Sequence, residues 1–274
     1  MSDANLKFFI FNNNVYPVEE FDNLYVEDSS SLYEVLRVNE SVPLFLEEHY
    51  ERLISSGKII GHNISLSFDE LKSQIQLITQ KNNVVNHNIK IVINNLHNEV
   101  PNIYYFFIKT NYPDASLYEE GVKTFLYSAE RDNPNAKIIN TNLRNTINTL
   151  LEEKNCYEAI LVNSDGYITE GSRSNLFFIK DNTLYTTEGK DVLLGITRKR
   201  IIELARSNEI NTIEKPIHID ELKDFSSLFI SGTSPKVLPI NAVDSLKYST
   251  KDSLLLKIMK IYDNEINSYI SSHK

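Results

Sequence analysis

Glycine is scarce. The chain of 274 residues holds only eight, roughly 3% against a usual ~7%. Each glycine is therefore a candidate for a position where the backbone turns tightly or approaches another group closely. Cysteine is scarcer still. Cys156 stands alone, which excludes a disulfide framework and a multi-cysteine zinc site. The six histidines, at 49, 62, 87, 97, 218 and 273, show no His-x-x-x-His spacing, so no metal is expected. No run reaches the ~18 continuous apolar residues of a membrane span. The start, Met1-Ser2-Asp3-Ala4, lacks the positive region of a secretory signal. With so little cysteine, a cytoplasmic location is the expectation. Basic excess is missing too: 28 Lys and Arg face 37 Asp and Glu, a net charge of −9. A nucleic-acid partner would need a basic footprint, so none is expected. There is no internal repeat and no low-complexity tract, and the abundant asparagine is a composition bias.

What is present suits a globular enzyme-sized chain. The hydrophobic fraction is 41% and the charged fraction 24%, near the average for soluble proteins and too apolar for disorder. The length fits one large domain or two modest ones.

Lys7–Phe11, Asn12-Asn13-Asn14 and Val15–Val18 read as a β-hairpin with an asparagine turn. Leu32–Val38 reads as a strand, and the spacing of Leu46, Tyr50, Leu53 and Ile54 predicts a helix over 46–60. Ser67-Phe68-Asp69-Glu70 is a capping box opening a helix to about Lys81. Ile89–Asn94 and Ile103–Lys109 are β runs, and Thr110–Ser116 is the best linker. Beyond it, strands are expected at 122–127, 158–162, 167–170, 175–179, 183–186 and 227–231. Helices are expected at 142–154, 197–207 and 252–270. No βαβ regularity is evident. The reading is α+β in two domains: a small N-terminal one over 1–112 and a larger one over 117–274.

Four local features carry possible chemistry. Gly195-Ile196-Thr197-Arg198 leads into a helix, whose unpaired N–H groups make either a phosphate site or an ordinary capped start. Ser231-Gly232-Thr233-Ser234 ends a strand, as an anion-binding turn or a plain one. Glu170 sits at a strand end beside Gly171, either functional, solvated or paired with a lysine. Lys137 lies in an apolar stretch, Ala136-Lys137-Ile138-Ile139. It is either an edge-strand gatekeeper or an amine whose basicity burial lowers.

Their order and spacing resemble one family. Lys137, Asn140, Cys156-Tyr157-Glu158-Ala159, Thr169-Glu170-Gly171-Ser172-x-Ser174-Asn175, Gly195-Ile196-Thr197-Arg198 and Ser231-Gly232-Thr233 are similar to the class IV, fold-type IV pyridoxal-phosphate enzymes. That family holds D-amino-acid and branched-chain aminotransferases and 4-amino-4-deoxychorismate lyases. Leu32–Arg37 and Glu48–Leu53 extend the likeness from about residue 8 to 245.

The resemblance implies roles position by position. Lys137 matches the Schiff-base lysine, which also shuttles the substrate proton. Glu170 matches the carboxylate beside the pyridine nitrogen. Arg52 matches the arginine that grips the cofactor phosphate, with a solvated helix charge as the alternative. Ile196, Thr197 and Thr233 match further phosphate contacts. Leu193 matches the support of one ring face, or is an ordinary core leucine. Tyr33, Arg173 and Ser234 fall on the substrate side. The likeness further implies pyridoxal 5′-phosphate as cofactor, an amino acid and a 2-oxo acid as substrates, and a homodimer; the Tyr104–Phe107 cluster fits either a subunit contact or a buried strand. Transamination is the expected reaction. A lyase on the same cofactor is the rival, and a non-catalytic binding module that kept the fold is the third reading.

Three departures concern the substrate. Val26–Ser31 has no glycine where family members carry one. Asn94–Pro101 has no arginine where D-amino-acid and branched-chain enzymes hold the substrate carboxylate, leaving His97 as a remnant or a solvated side chain. Arg173 interrupts the serine tract after Glu170, facing an anion or solvent.

Overall fold

The computed structural model describes residues 3–26, 31–98, 100–131 and 133–274. Four residues of the glycine-free segment, 27–30, and Glu99 in the loop after Asn94 lie outside the described residues.

The chain forms two compact units. The first holds Met1–Asn111, Ala136–Asn140 and Ile266–Lys274; the second holds Tyr112–Asn135 and Thr141–Glu265.

The first unit is a six-stranded sheet with helices. Strands β1 (Phe8–Phe11) and β2 (Asn14–Pro17) form the expected hairpin. Its turn residues Asn12 and Asn13 take φ of 45° and 67°, the left-handed pair that asparagine tolerates in a tight hairpin. A short helix α1 (Phe21–Leu24) follows, then β3 (Leu32–Asn39) and β4 (Val42–Pro43). Helices α2 (Leu46–Ile59) and α3 (Phe68–Lys81) precede β5 (Asn86–Asn94) and β6 (Asn102–Ile108). The sheet order is β2-β1-β6-β5-β3-β4, antiparallel at every pairing. The capping box of α3 forms as read, with Ser67 Oγ accepting from the Glu70 N–H at 3.2 Å and Glu70 Oε2 accepting from the Ser67 N–H at 2.9 Å.

Alternation along β3 sends Leu36 and Val38 to one face, where Leu53, Leu71, Ile75 and Ile78 of the helices cover them. The other face is aromatic: Phe9, Phe21, Tyr104 and Phe106 pack there with Ile139. That contact, with a bridge between Ile138 and Leu32, explains why the lysine-bearing segment 136–140 groups with the first unit rather than with the larger domain expected to carry it.

The second unit opens with α4 (Ala115–Glu120) inside the stretch read as linker, because Asp114 caps it by accepting from the Leu117 N–H at 3.1 Å. Then come β7 (Val122–Ser128), α5 (Thr141–Lys154) and β8 (Glu158–Val162). Strands β7 and β8 pair in parallel, so this is a βαβ crossover that the sequence reading did not anticipate. Next are β9 (Tyr167–Gly171), β10 (Asn175–Lys180), β11 (Thr183–Thr186) and α6 (Ile196–Ser207). The unit ends with β12 (Thr212–Glu214), β13 (Ile217–His218), β14 (Ser227–Gly232), β15 (Lys236–Val243), β16 (Leu246–Lys247) and the greater part of α7 (Ser253–His273).

The sheet order is β12-β11-β10-β14-β15-β7-β8-β9-β13, with β16 on β15. Strand β15 is central, between β14 and β7, in a stretch to which the sequence reading assigned no element; it carries Pro239, a residue that disfavours a central strand. Pro239 pairs with Phe229 of β14, and the register with β7 shifts between Ile240 and Ala242. Among the described residues no helix is long and apolar enough to cross a membrane.

Candidate functional site

The residues singled out in the sequence fall into two sets, one in each unit. In the first unit, β3 and segment 136–140 hold Lys137. Its backbone N–H donates to Ser56 Oγ at 3.1 Å and its carbonyl accepts from the Tyr33 N–H at 3.1 Å. The Ile139 N–H donates to the Ser31 carbonyl at 3.0 Å. The lysine Nζ lies 4.5 Å from the centre of the Tyr33 ring. The Nζ of this half-buried lysine thus sits over an aromatic face.

Period-two alternation turns Glu34, the next residue, to the opposite face of β3, where it is fully buried. Arg52 on α2 donates to it twice, Nε to Oε1 at 2.8 Å and Nη2 to Oε2 at 2.7 Å. His49, one turn earlier on the same helix face, meets Oε2 through Nδ1 at 2.8 Å. A carboxylate only accepts, so Nδ1 carries the proton. Burial opposes the charge on Glu34, but the Arg52 charge and the hydrogen bonds from Arg52 and His49 outweigh it and bring the carboxyl down from 4.5 to about 2. Burial lowers the proton affinity of His49, against the pull of Glu34. Arg52 is therefore not a solvated helix charge: its side chain is 10% exposed.

In the second unit, Glu170 is the next-to-last residue of β9, with its carboxylate buried. Its Oε2 accepts from the Leu193 N–H at 3.0 Å. Its Oε1 pairs with Arg131 Nε at 3.2 Å. Leu193 is buried, and its carbonyl accepts from Asn175 Nδ2 at 2.8 Å and from the Gly195 N–H at 2.8 Å. Two residues on, α6 begins. Gly195 is its N-cap and supplies no side chain to the first-turn N–H groups. A Cβ at Gly195 would stand 2.1 Å from Asn175 Oδ1, so any other residue forces the Asn175 side chain to shift. Ile196 and Thr197 are buried in that first turn, and Tyr262 reaches Thr197 Oγ1 at 3.4 Å.

Thr233 and Ser234 occupy the β14–β15 turn, between paired Gly232 and Lys236. Next to them the Ser231 hydroxyl is buried with no hydrogen-bond partner among the described residues. Gly232 departs from the glycine expectation: its φ is not positive and a Cβ would find ordinary contacts at 3.4 Å. Arg173 is exposed and its guanidinium donates to Asn148 on α5.

Sequence reasoning assigned no role to four side chains. Glu34 and His49 lie in stretches that carry the likeness but drew no role of their own, since an alternating strand and a helix surface ordinarily carry such residues. Arg131, in Glu130-Arg131-Asp132, reads as a solvated charge run. Glu158 did carry a sign: a carboxylate heads the wholly buried run Glu158–Val162. It accepts from Ser172 Oγ at 2.5 Å, Ser174 Oγ at 2.9 Å, the Ala159 N–H at 2.9 Å and the Arg173 N–H at 3.2 Å, which fixes the turn after Glu170.

The cofactor implied by the resemblance finds fitting groups in each unit: an amine on Lys137, a buried carboxylate on Glu170, an uncapped helix start, and the spare Ser231 hydroxyl. Among the described residues no cluster of three or more metal-ligating side chains occurs.

Residues 31–243 match the family model described as amino-transferase class IV. The chain is 28% identical over 228 residues to a probable branched-chain-amino-acid aminotransferase of Rickettsia felis, covering 79% of this chain and 78% of that one. It is 29% identical over 231 residues to the D-alanine aminotransferase of Bacillus licheniformis, covering 78% of each. Among solved structures, the T.th. branched-chain amino acid aminotransferase with pyridoxamine 5′-phosphate is similar at a TM-score of 0.83 and 22% identity, over 97% of this chain and 96% of that one. A putative 4-amino-4-deoxychorismate lyase of Legionella pneumophila is similar at a TM-score of 0.79 and 21% identity, over 86% and 91%.

Proposed function

Because the chain belongs to the class IV aminotransferase family, we propose that it moves an amine from an amino acid to a 2-oxo acid on a pyridoxal 5′-phosphate carried by Lys137. The observation that supports this best is local to one segment. Residues 193–197 bind Glu170 at one end, through the Leu193 N–H, and open a helix without a side-chain cap at the other. A heterocycle whose nitrogen needs an anion and whose phosphate needs N–H donors suits such a segment.

When bound, the cofactor supplies an electron sink for the carbanion formed at the substrate Cα. The protein groups do the rest. Lys137 Nζ would hold the cofactor and, once the substrate amine has displaced it, would be the free amine that takes up and returns the substrate Cα proton. Glu170 keeps the ring nitrogen protonated. The Ile196 and Thr197 N–H groups, the Thr197 and Thr233 hydroxyls and the Arg52 guanidinium bind the phosphate, and Glu34 aims the guanidinium. Leu193 supports one ring face. Tyr33, Arg173 and Ser234 serve the substrate. The enzyme acts in the cytoplasm as a homodimer.

One observation favours a second reading. The loop over 95–101 carries no arginine for a substrate carboxylate, so a lyase that releases pyruvate from aminodeoxychorismate without an acceptor is the rival.

Incubation with pyridoxal phosphate tests the common core: visible absorbance is expected, and Lys137→Ala is expected to lose it. Protein that stays colourless refutes both readings and leaves a non-catalytic module. An amino-donor screen of L and D sets and aminodeoxychorismate, with and without pyruvate or 2-oxoglutarate as acceptor, then separates them, since pyruvate formed with no acceptor marks the lyase.

A further inference from the structure

Arg131, just beyond β7, makes two contacts at once. Its Nε meets Glu170 Oε1 at 3.2 Å, and its Nη2 donates to the Ser172 carbonyl at 3.1 Å. The Arg131 side chain is 22% exposed and that of Glu170 4%. The Leu193 N–H holds the other carboxylate oxygen at 3.0 Å. Glu170 is thus held at both oxygens, and the guanidinium that holds one of them also holds the backbone two residues further on. A carboxylate offers about four lone-pair positions. The planar guanidinium fixes how the carboxylate is rotated, and so where its remaining lone pairs point.

We propose that Arg131 is a positioning residue that acts through Glu170, fixing the plane of its carboxylate so that an oxygen faces the ring nitrogen of the bound pyridoxal cofactor. The proposal rests on the reading of Glu170 given above. A neutral residue at 131 takes the cation away from a buried carboxylate, which is then free to rotate away from the ring. A lysine keeps the charge but is a single point donor. It cannot hold the carboxylate and the Ser172 carbonyl in one plane.

The test compares two ligands on the full-length protein: pyridoxamine 5′-phosphate, and its analogue with a CH in place of the ring nitrogen. Dissociation constants are measured by calorimetry for the wild type, Arg131→Gln, Arg131→Lys, Glu170→Gln and the double variant Arg131→Gln/Glu170→Gln. The wild type is expected to prefer the nitrogen-bearing ligand by about tenfold or more, the scale of one charge-assisted hydrogen bond. Arg131→Gln is expected to lose most of that preference while binding the CH analogue as the wild type does. Arg131→Lys is expected to keep part of it. Glu170→Gln abolishes it, and adding Arg131→Gln then changes nothing more.

Equal weakening of both ligands by Arg131→Gln marks a merely structural role and overturns the inference alone, as does no weakening of either. A wild type that binds both ligands alike, or neither, overturns the reading of Glu170 and the inference with it. Circular dichroism confirms the fold of each variant, and if Arg131→Gln does not fold, Arg131→Lys decides by the same comparison.

Discussion

Glu34→Gln is the most informative stability experiment, because the wild-type carboxylate is buried and held by two partners. Its proton affinity sits at about 2 in the folded protein against an ordinary 4.5. At about 1.4 kcal/mol for each factor of ten, the ionised form is worth about 3 kcal/mol of stability at neutral pH. The same figure follows from the other side: removing one member of a buried ion pair costs about 3–5 kcal/mol, since it strands the remaining charge. Here the stranded charge is Arg52, 10% exposed. Urea unfolding at pH 7 is expected to show Glu34→Gln about 3 kcal/mol less stable than the wild type. Replacing both partners, Glu34→Gln with Arg52→Met, removes the stranded charge as well. It is expected to cost clearly less than the sum of the single changes.

The pH dependence has a definite sign. The folded carboxyl binds its proton more weakly than the unfolded one, so its contribution is complete above about pH 4.5 and is lost as pH falls through about 2. Stability curves in that range also contain His49, whose proton affinity burial lowers. The cleaner reading is therefore the Glu34 carboxyl carbon by NMR, assigned by its absence in Glu34→Gln. No titration is expected between pH 7 and about pH 4. A midpoint at about 4 or above, a Glu34→Gln cost under about 1 kcal/mol, or a double variant that costs the full sum would each refute the reasoning.

Three further outcomes are expected. Ile75→Ala empties a fully buried position in the first unit's core and should cost about 2–5 kcal/mol in urea unfolding. Ser67→Ala removes the hydroxyl that accepts from the Glu70 N–H and should cost about 1 kcal/mol by the same measurement. Gly195→Ala forces a Cβ to 2.1 Å from Asn175 Oδ1; about 1–3 kcal/mol of strain is expected, with weaker pyridoxal phosphate binding in an absorbance titration.

What was legible in the sequence was local. The asparagine hairpin turn, the Ser67–Glu70 capping box, the amphipathic α2 and α3, and the Gly195 start of α6 each announce themselves within a few residues, and each formed as read. What stayed hidden depends on partners distant in the chain. Strand β15 is stabilised by neighbours on both sides, and their pairing overrides the local penalty of Pro239. Segment 136–140 has no strong propensity of its own, and its place is set by the bridge to Leu32 and the packing of Ile139.

The same division runs through the candidate site. Glu170, Lys137 and Thr197 stand in recognisable segments, so their residue types and spacing could be compared with a family. The groups that orient them cannot be found that way. Glu34 turns Arg52 from a helix-surface charge into a fixed, largely covered guanidinium. Arg131 turns Glu170 from a strand-end carboxylate into one with a set plane. In both cases an ordinary surface residue type acquires a role because a carboxylate is buried beside it. A buried carboxylate is costly unless donors surround it. The informative question for a sequence of this kind is therefore which acidic residues the fold buries, since each of those requires partners. Glu34, Glu158 and Glu170 are the glutamates buried here among the described residues. Each is surrounded by donors, and Arg52, Arg131 and the turn at 172–174 are the structures those donors build.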